Sequence, residues 1–296
     1  MEQLSNDTLS AIVLPIFIIA LVLEATYSAI RKRDLYHGKD TLTSLSMMLL
    51  AGLVEIAPKA LAFSAFIALH EWSPLKDIVG RQWWAWGLLF FLDDFSYYWF
   101  HRANHELRWC WAGHVSHHSS VQLNFATALR QGVGERLHKY LFWLPLPLLG
   151  FDPTMILTMI SISLFYQFWI HTELVTTLPR AIEWVFNTPS HHRVHHASNH
   201  RYLDRNHGGV LIIWDRLFGT FAAEEADEKP VYGLTKNIDS YNPITVAASE
   251  YKNLWLDIQR CRQWQDKLRY LWMAPGWSHD GIDQRAQTLR AKLAEH

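Results

Sequence analysis

Three tight groups of histidines are the residues of this chain that are best suited to chemistry. They are His101-x-x-x-His105, His114-x-x-His117-His118 and His192-x-x-His195-His196, and His171 stands alone between the last two. Residues 101–207 hold 13 of the 17 histidines in the chain. Imidazole is the commonest metal ligand in proteins, and its pKa lies too near neutrality for histidine to serve as an ordinary core residue. This density therefore predicts metal binding.

The spacing within each group places its imidazoles on one side of a helix. Positions i and i+4 share a helix face, as do i and i+3, so His101 and His105 can close on one ion. In each His-x-x-His-His group the last histidine must point differently, toward a neighbouring metal or across a bridge. The predicted ligands are His101, His105, His114, His117, His118, His171, His192, His195 and His196. Because one octahedral ion cannot use all of them, we predict two ions with room left for dioxygen or water.

The residue types alone leave the identity of the metal open. Structural zinc prefers cysteine, alone or with histidine, and the two cysteines, Cys110 and Cys261, are too few for a thiolate site. Imidazole suits iron, copper, nickel and zinc alike. Two redox ions beside a membrane would be suited to activating dioxygen against an unreactive C–H bond. The ligand types also allow zinc.

Composition predicts that a membrane lies close to these groups. Charged residues make up 19% of the chain, below the ~25% of an average globular protein, and there are 15 tryptophans. Tryptophan and tyrosine gather at bilayer interfaces, where an apolar ring can carry a polar edge toward water. The formal net charge is −1, so no basic character points to a nucleic-acid partner.

About four membrane-embedded helical units are expected to position the histidines. They are residues 11–30, 42–70 and 83–100, and a helical hairpin at 140–170 that prolines interrupt. The first is a 20-residue apolar run, long enough to cross a ~30 Å hydrocarbon core. Asp40 and Thr41 are predicted to cap the second unit, which Glu55 and Pro58 interrupt.

The orientation follows from Arg31-Lys32-Arg33, directly after the first unit. Cytoplasmic segments carry an excess of lysine and arginine, so this end is expected in the cytoplasm, and the later units then deliver every histidine group to the same face. Residues 246–273 predict one amphipathic helix, either in the headgroup plane or packed on the domain. The predicted fold class is all-α, a polytopic integral membrane protein whose active site lies in a cytoplasmic, histidine-rich cap.

Several residues near the histidines are candidates for supporting roles. Glu106 and Glu173 lie just past predicted ligands and are expected to orient imidazoles as hydrogen-bond acceptors. Asp94, within the third unit, either reaches a ligand through a neighbour or holds helices together. Arg130 and Arg193 are expected to bind a carboxylate, a lipid phosphate or an internal acid. The sequence does not decide the role of three further histidines. Each is expected either to contact a ligand or to lie on the surface: His191, His200 and His207.

The histidine groups resemble the three histidine boxes of the fatty acid hydroxylase/sterol desaturase superfamily of integral-membrane diiron oxygenases. Longer strings are similar to its alkylglycerol monooxygenase branch: Tyr97-Tyr98-Trp99-Phe100-His101-Arg102, Thr127-Ala128-Leu129-Arg130-Gln131, Phe168-Trp169-Ile170-His171-Thr172-Glu173 and Asn187-Thr188-Pro189-Ser190-His191-His192. The chain departs from the branch at Val121-Gln122, where acidic residues are usual, and at His207, where a tyrosine often precedes paired glycines.

This resemblance implies a diiron centre on the histidines of the boxes, dioxygen as oxidant and a lipid substrate from the bilayer. In the branch, tetrahydrobiopterin is the reductant, and an ether-linked carbon of an alkylglycerol is hydroxylated. The chain is then expected to have three regions. These are N-terminal transmembrane helices at 1–82, a diiron catalytic domain at 83–245 and an amphipathic or soluble tail at 246–296.

Two alternative functions stay open at this point. A sterol, fatty-acid or carotenoid hydroxylase or desaturase would use the same boxes with another external reductant, of the ferredoxin or cytochrome type. A histidine-rich metal transporter or sensor would spread its ligands along a transmembrane path, whereas the expected topology gathers them at one membrane face.

Overall fold

The computed structural model describes residues 6–293, with side chains from residue 15 onward. Within that range the chain forms α-helices, α1 to α16, joined by turns and loops. In chain order they are Asn6–Arg31, Gly38–Val54, Ile56–Trp72, Lys76–Val79, Trp83–Glu106, Arg108–His118, Phe125–Ala128, Arg136–Lys139, Pro145–Leu148, Pro153–Trp169, Arg180–Val185, Pro189–His195, Ile213–Phe218, Pro243–Arg260, Trp264–Trp272 and Ala286–Leu293. The all-α fold class is confirmed for these residues. The ends of the first and last expected regions, residues 1–5 and 294–296, lie outside the described residues.

Helices α1 and α5 cover the first and third predicted units. α5 continues past residue 100, so His101 and His105 lie within the helix rather than after it. α1 is fastened to the rest of the fold by Glu24, which is buried. The Glu24 carboxylate accepts hydrogen bonds from the Phe125 main-chain N–H at 2.8 Å and from the Thr172 hydroxyl.

The predicted second unit is two helices, α2 and α3, with a bend of 49° between them. The break falls at Glu55, which ends α2 and precedes α3. Pro58 explains it, because proline has no N–H and its ring clashes with the carbonyl four residues earlier, here that of Val54. The interruption expected from the sequence is therefore present.

The predicted helix cap at Asp40 and Thr41 is wrong. α2 begins earlier, and His37 occupies the position before it without a side-chain capping bond. The buried Asp40 carboxylate accepts instead from the Arg130 guanidinium at 2.7 Å and from the Ser120 hydroxyl at 2.6 Å. A buried charge is stable only with such partners, and this pairing outweighs a cap that water could replace.

Length and hydropathy together point to one candidate membrane span in the described part of the chain. Within residues 6–293, no single helix is both long enough and apolar enough to cross a bilayer. The bent pair α2–α3 meets both requirements when its two helices are taken together.

The region predicted as a hairpin, 140–170, has two unequal halves. The first is a 3-10 turn at Tyr140–Trp143 followed by the single turn of α9, because two prolines remove main-chain donors that a longer helix needs. Gly150 then turns the chain with φ +91°, where an added Cβ would lie 2.6 Å from the Leu75 carbonyl oxygen. The second half is α10, a helix of 17 residues.

The main hydrophobic core lies between α3, α5, α9 and α10. Its buried side chains include Phe66, Leu89, Trp143 and Ile156. The core thereby fixes α5 and α10, the two helices that lead directly to histidines of the predicted site.

The predicted amphipathic helix at 246–273 is two helices, α14 and α15, so the expectation of one helix is wrong. The chain turns extended at Cys261 and ends α14 there. α14 packs on α6, where Arg108 pairs with Glu250 at 2.8 Å and with Asp257 at 2.7 Å. Of the two arrangements expected for this segment, packing on the domain is the one observed.

Candidate metal centre

The structure brings all the predicted ligands together in two groups. The five-histidine group is His101, His105, His114, His118 and His195, and the four-histidine group is His117, His171, His192 and His196. Each residue offers one ring nitrogen, and the nitrogens of a group all lie within 4.8 Å of one another. Each His-x-x-His-His motif is divided between the groups: its first and last histidines, four residues apart, share one group, and its middle histidine, His117 or His195, belongs to the other. The prediction that the last histidine of each motif points differently is therefore wrong, because positions i and i+4 face the same side of the helix here. Rings of the two groups touch: His118 and His196 stack with centroids 4.5 Å apart.

Four helices carry these side chains to one place. α5 supplies His101 and His105, one turn apart, and packs against α6, which carries the second motif. His171 lies two residues beyond the end of α10, and α12 carries the third motif. α12 begins at Pro189, whose fixed φ suits the first turn of a helix.

Main-chain carbonyl oxygens hold four of the rings through Nδ1. The distances are 2.9 Å from His101 to His207, 2.9 Å from His117 to Arg130, 2.7 Å from His171 to Gln167 and 2.9 Å from His195 to Arg205. A carbonyl oxygen can only accept a hydrogen bond, so Nδ1 carries the proton and donates it. The Nε2 atom of each neutral ring therefore presents a lone pair.

Burial keeps these rings neutral near pH 7. Loss of water around the ring, with neighbouring imidazoles, holds the pKa of His101, His117 and His195 well below its usual range. Burial also lowers the pKa of His171 to about 4. Neutral imidazole is the form that binds a metal ion.

The contact between His117 and His171 is the clearest sign that a cation belongs in this centre. Their Nε2 atoms lie 3.4 Å apart, and because both present lone pairs, no hydrogen bond can join them. In the five-histidine group the buried Nε2 atoms of His105 and His195 have no hydrogen-bond partner. Burying a polar atom without a partner raises the free energy of the folded state. One metal ion in each group would give all of these atoms a partner.

The spacing of the ring nitrogens also suits metal ions. Two nitrogens bound about 2.1 Å from one ion in neighbouring positions lie roughly 3.0–3.4 Å apart. The Nε2 atom of His114 lies 3.2 Å from that of His101 and 3.1 Å from that of His118. In the four-histidine group, the Nε2 atoms of His192 and His196 are 3.1 Å apart. The donor set therefore fits one ion in each group.

An apolar cavity of about 770 Å³ reaches the four-histidine group. Helices α1, α2 and α10 contribute Phe17, Leu45 and Phe168 to its walls. Three histidines of that group, His117, His171 and His192, are part of the same lining, together with His114 of the five-histidine group. A hydrocarbon chain would find apolar contacts along this cavity and ring nitrogens within reach.

Comparison with known protein families identifies the domain that carries the histidines. The model of the fatty acid hydroxylase family matches residues 86–220. Residues 86–220 therefore form a domain similar to that family. Members of this family are membrane-bound and iron-dependent enzymes. The resemblance based on the histidine boxes is confirmed.

Relatives of the chain extend well beyond the fatty acid hydroxylase domain. An alkylglycerol monooxygenase of Danio rerio is 41% identical over 266 residues, which cover 89% of this chain and 58% of the relative. An alkylglycerol monooxygenase of Homo sapiens is 39% identical over 264 residues, with the same two shares. An ornithine lipid hydroxylase of Rhizobium tropici is 28% identical over 188 residues, which cover 63% of this chain and 54% of the relative. The chain thus spans somewhat more than half the length of these relatives. No solved structure matches it.

Two carboxylates of the fatty acid hydroxylase domain contact ligand rings, and neither was predicted from the sequence. Asp204 lies 3.3 Å from Nδ1 of His105, and Glu135 lies 3.3 Å from Nδ1 of His114. Burial alone would raise the pKa of Glu135, but the neighbouring His114 and Lys139 lower it to about 2. The Glu135 carboxylate is therefore charged beside the histidines. Neither acid lies at a fixed spacing from a histidine box, so the sequence did not predict these contacts. Loops bring both acids to the ligand rings.

The acids predicted for this orienting role make other contacts. Glu106 pairs with Arg102 at 2.8 Å. Glu173 accepts a hydrogen bond from Tyr232. In the part of the chain that the structure describes, neither carboxylate bonds to a predicted ligand, and Asp204 occupies the position beside His105 instead.

Asp94 and Arg193 hold loops of the fatty acid hydroxylase domain in place. Asp94 accepts hydrogen bonds from the main-chain N–H groups of Val210 at 2.7 Å and Leu211 at 3.0 Å, so it joins α5 to the loop before α13. Arg193 binds Glu224 at 2.7 Å. The sequence left several partners open for Asp94, Arg130 and Arg193. In the structure, each of them binds groups inside the protein.

Of the three histidines that the sequence left open, His207 lies against the metal centre. It is fully buried, neither of its ring nitrogens has a hydrogen-bond partner, and its ring centroid lies 5.0 Å from that of His105. His191 pairs instead with Glu183 at 2.9 Å, and His200 is exposed. His207 is therefore part of the surroundings of the five-histidine group.

Proposed function

We propose that this protein is a membrane-bound diiron oxygenase that uses dioxygen to hydroxylate the alkyl chain of a lipid. The observation that carries the proposal is the apolar cavity that reaches buried imidazoles with unpaired lone pairs. A hydrocarbon substrate needs apolar walls, and attack on its C–H bonds needs an oxidising metal. Both requirements meet at the four-histidine group.

Two iron ions on the two histidine groups would supply the oxidising power for the reaction. Overall, one oxygen atom of dioxygen enters a C–H bond and the other leaves as water, with two electrons and two protons from a donor. In this proposal the donor is tetrahydrobiopterin, as the family resemblance implies. The side chains hold the geometry: main-chain carbonyls fix the rings, and the apolar walls exclude water from the reacting carbon.

The substrate that the lining favours is an alkylglycerol, hydroxylated at its ether-linked carbon. Most of the cavity wall is hydrocarbon, but Gln131 and Glu135 also line it, and Glu135 contacts His114. A glycerol group bound by these polar side chains would place the adjacent ether carbon next to the histidines. The relatives from Danio rerio and Homo sapiens, both alkylglycerol monooxygenases, support this choice.

Helices α1 to α3 would make the contact with the bilayer. They expose many large apolar side chains, among them Ile18, Leu23, Ile30, Leu53 and Leu61. Exposed apolar surface of this kind is typical of membrane or partner contacts. The basic segment 31–33 would mark the cytoplasmic side. Gln122, just after α6, donates to the main-chain carbonyl of Asp34 at 3.0 Å, which supports a histidine centre on that same side.

Isotope incorporation tests the proposal. Iron-loaded protein in detergent micelles is given a 1-O-alkylglycerol, tetrahydrobiopterin and isotopically labelled dioxygen, and the aldehyde released is trapped at once with borohydride. We expect a labelled long-chain alcohol by mass spectrometry, and none from His117→Ala, which loses a predicted ligand. A sterol and a free fatty acid run in parallel as competing substrates. If iron-loaded protein oxidises no lipid in this set, the proposal is wrong.

A further inference from the structure

A second cavity, of about 550 Å³, reaches the five-histidine group. His105, His118 and His195 are part of its lining, whereas the histidines that line the apolar cavity are His114, His117, His171 and His192. No described residue lines both cavities. The histidine centre therefore separates two binding spaces, so that a molecule in one leaves the other free.

The chemistry of the second cavity differs from that of the first. Helices α6, α14, α15 and α16 contribute to its walls, and polar side chains are frequent among them: Arg108, Asp204, Glu250, Asn253, Asp257 and Gln284. Trp111 and Trp277 add flat aromatic surfaces. Apolar side chains such as Leu256 and Leu289 complete a mixed lining. Hydrogen-bonding groups together with aromatic rings suit a planar polar molecule better than an alkyl chain.

We propose that the electron donor of the proposed function, a small, planar nitrogen heterocycle in its reduced form, binds in this second cavity beside the five-histidine group. The inference rests on the proposed oxygenase function, which consumes two electrons and two protons in each hydroxylation. A tetrahydropterin supplies both and leaves as a dihydropterin. Lipid, dioxygen and tetrahydropterin then give hydroxylated lipid, water and dihydropterin, which balances without a further reactant.

The position of the cavity suits the delivery of electrons to the metal centre. The Trp111 ring lies 5.2 Å from that of His105 and 5.6 Å from that of His118, centroid to centroid. If a heterocycle stacks on Trp111, only the Trp111 ring would lie between it and two predicted ligands, His105 and His118. The carboxylates of Glu250 and Asp257 already bind Arg108, and their oxygens can each accept a further N–H from such a ring.

The size of the cavity favours a small donor over a protein. Sites for small molecules typically enclose about 300–1,000 Å³, and this cavity lies within that range. His105, His118 and His195 are buried, so a donor must enter the cavity to touch them. A reduced ferredoxin is the competing donor that the experiment includes.

The test places a large side chain in each cavity in turn. It then compares the steady-state kinetics for tetrahydrobiopterin with those for the alkylglycerol. Ala286→Trp and Asn253→Trp fill the second cavity from α16 and α14, and Leu45→Trp fills the apolar cavity from α2. Gln287→Trp adds the same side chain on the exposed face of α16 and serves as the control. Only variants whose iron content and thermal unfolding equal those of the unsubstituted protein are compared.

We expect Ala286→Trp and Asn253→Trp to raise KM for tetrahydrobiopterin by about tenfold or more with KM for the alkylglycerol unchanged, and Leu45→Trp to do the reverse. Protein reduced with dithionite and then given lipid and dioxygen bypasses the donor. In that single turnover the filled variants should form as much product as the unsubstituted protein.

An unchanged KM for tetrahydrobiopterin in both variants that fill the second cavity would overturn the inference while leaving the proposed function intact. Turnover that reduced ferredoxin supports and tetrahydrobiopterin does not would overturn the inference together with the donor named in the proposed function, but not the oxygenase reaction. Failure of the dithionite-reduced, unsubstituted protein to oxidise any lipid would instead contradict the oxygenase function itself.

Discussion

Each fixed imidazole of the metal centre uses its two nitrogens differently. At His117 and His171, Nδ1 donates to a main-chain carbonyl and Nε2 presents a lone pair. The carbonyls belong to Arg130 and Gln167, whose backbone lies in ordered turns of the fold. The rings are therefore oriented by the protein itself, and an ion entering the group would meet ligands that need little rearrangement.

Loss of one ring from the four-histidine group should empty that group of metal. We expect His171→Ala to lower iron content from about two to about one ion per chain and turnover by more than about 100-fold, beyond the loss typical of changing a partner outside the ligand shell. Metal analysis and product formation measure the two effects. His200→Ala removes an exposed histidine outside both groups and should change neither. His171→Ala with full iron and full turnover would remove His171 from the ligand set.

Residue spacing predicted which histidines gather, but neither how they divide between the two groups nor what orients them. Helix periodicity is a local property of the sequence, and it allows both i+3 and i+4 neighbours on one face; only the i+4 pairs share a group here. The orienting groups come from distant parts of the chain: Asp204 and Glu135 reach His105 and His114 only after the loops have folded. His207 is similar: its main-chain N–H donates to the Asp215 carboxylate at 2.7 Å, and no sequence spacing predicts that contact.

The helices could be predicted where long apolar runs define them, and less well where they break. α1 and α5 follow from such runs, and the bend between α2 and α3 follows from Pro58. The break between α14 and α15 has no comparable signal, since no proline or glycine lies at Cys261 or in the two residues after it. There the chain turns extended at Cys261 without such a residue.

The buried pair of Asp40 and Arg130 links α2 to the metal centre, because the Arg130 carbonyl also orients His117. Asp40→Asn keeps the shape of the side chain but leaves the Arg130 charge unpaired. We expect a loss of about 3–5 kcal/mol in the free energy of unfolding, the usual cost of breaking a buried ion pair. Thermal unfolding in detergent, followed by circular dichroism, measures the change.

The matched control for that prediction is Asp77→Asn, which alters an exposed acid in the first turn of α4. It should leave the unfolding curve unchanged. Equal curves for Asp40→Asn and the unsubstituted protein would show that the pair does not hold α2 in place.

At the scale of the whole molecule, the histidine centre lies between an apolar and a polar cavity. The apolar one is enclosed by α1, α2, α5 and α10, and the polar one by α6, α14, α15 and α16. Helices far apart in sequence form each wall, so neither cavity could be predicted from periodicity or motif spacing. Under the proposed function, lipid and donor would reach the histidine centre by separate cavities.

Iron content per chain tests the central claim most directly. Protein made in iron-supplied cells and purified gently in detergent is analysed for metal by mass spectrometry and for protein by amino-acid analysis. The two histidine groups predict about two iron ions per chain, one in each group. A value near one or below, or zinc in place of iron under iron supply, would contradict a diiron centre.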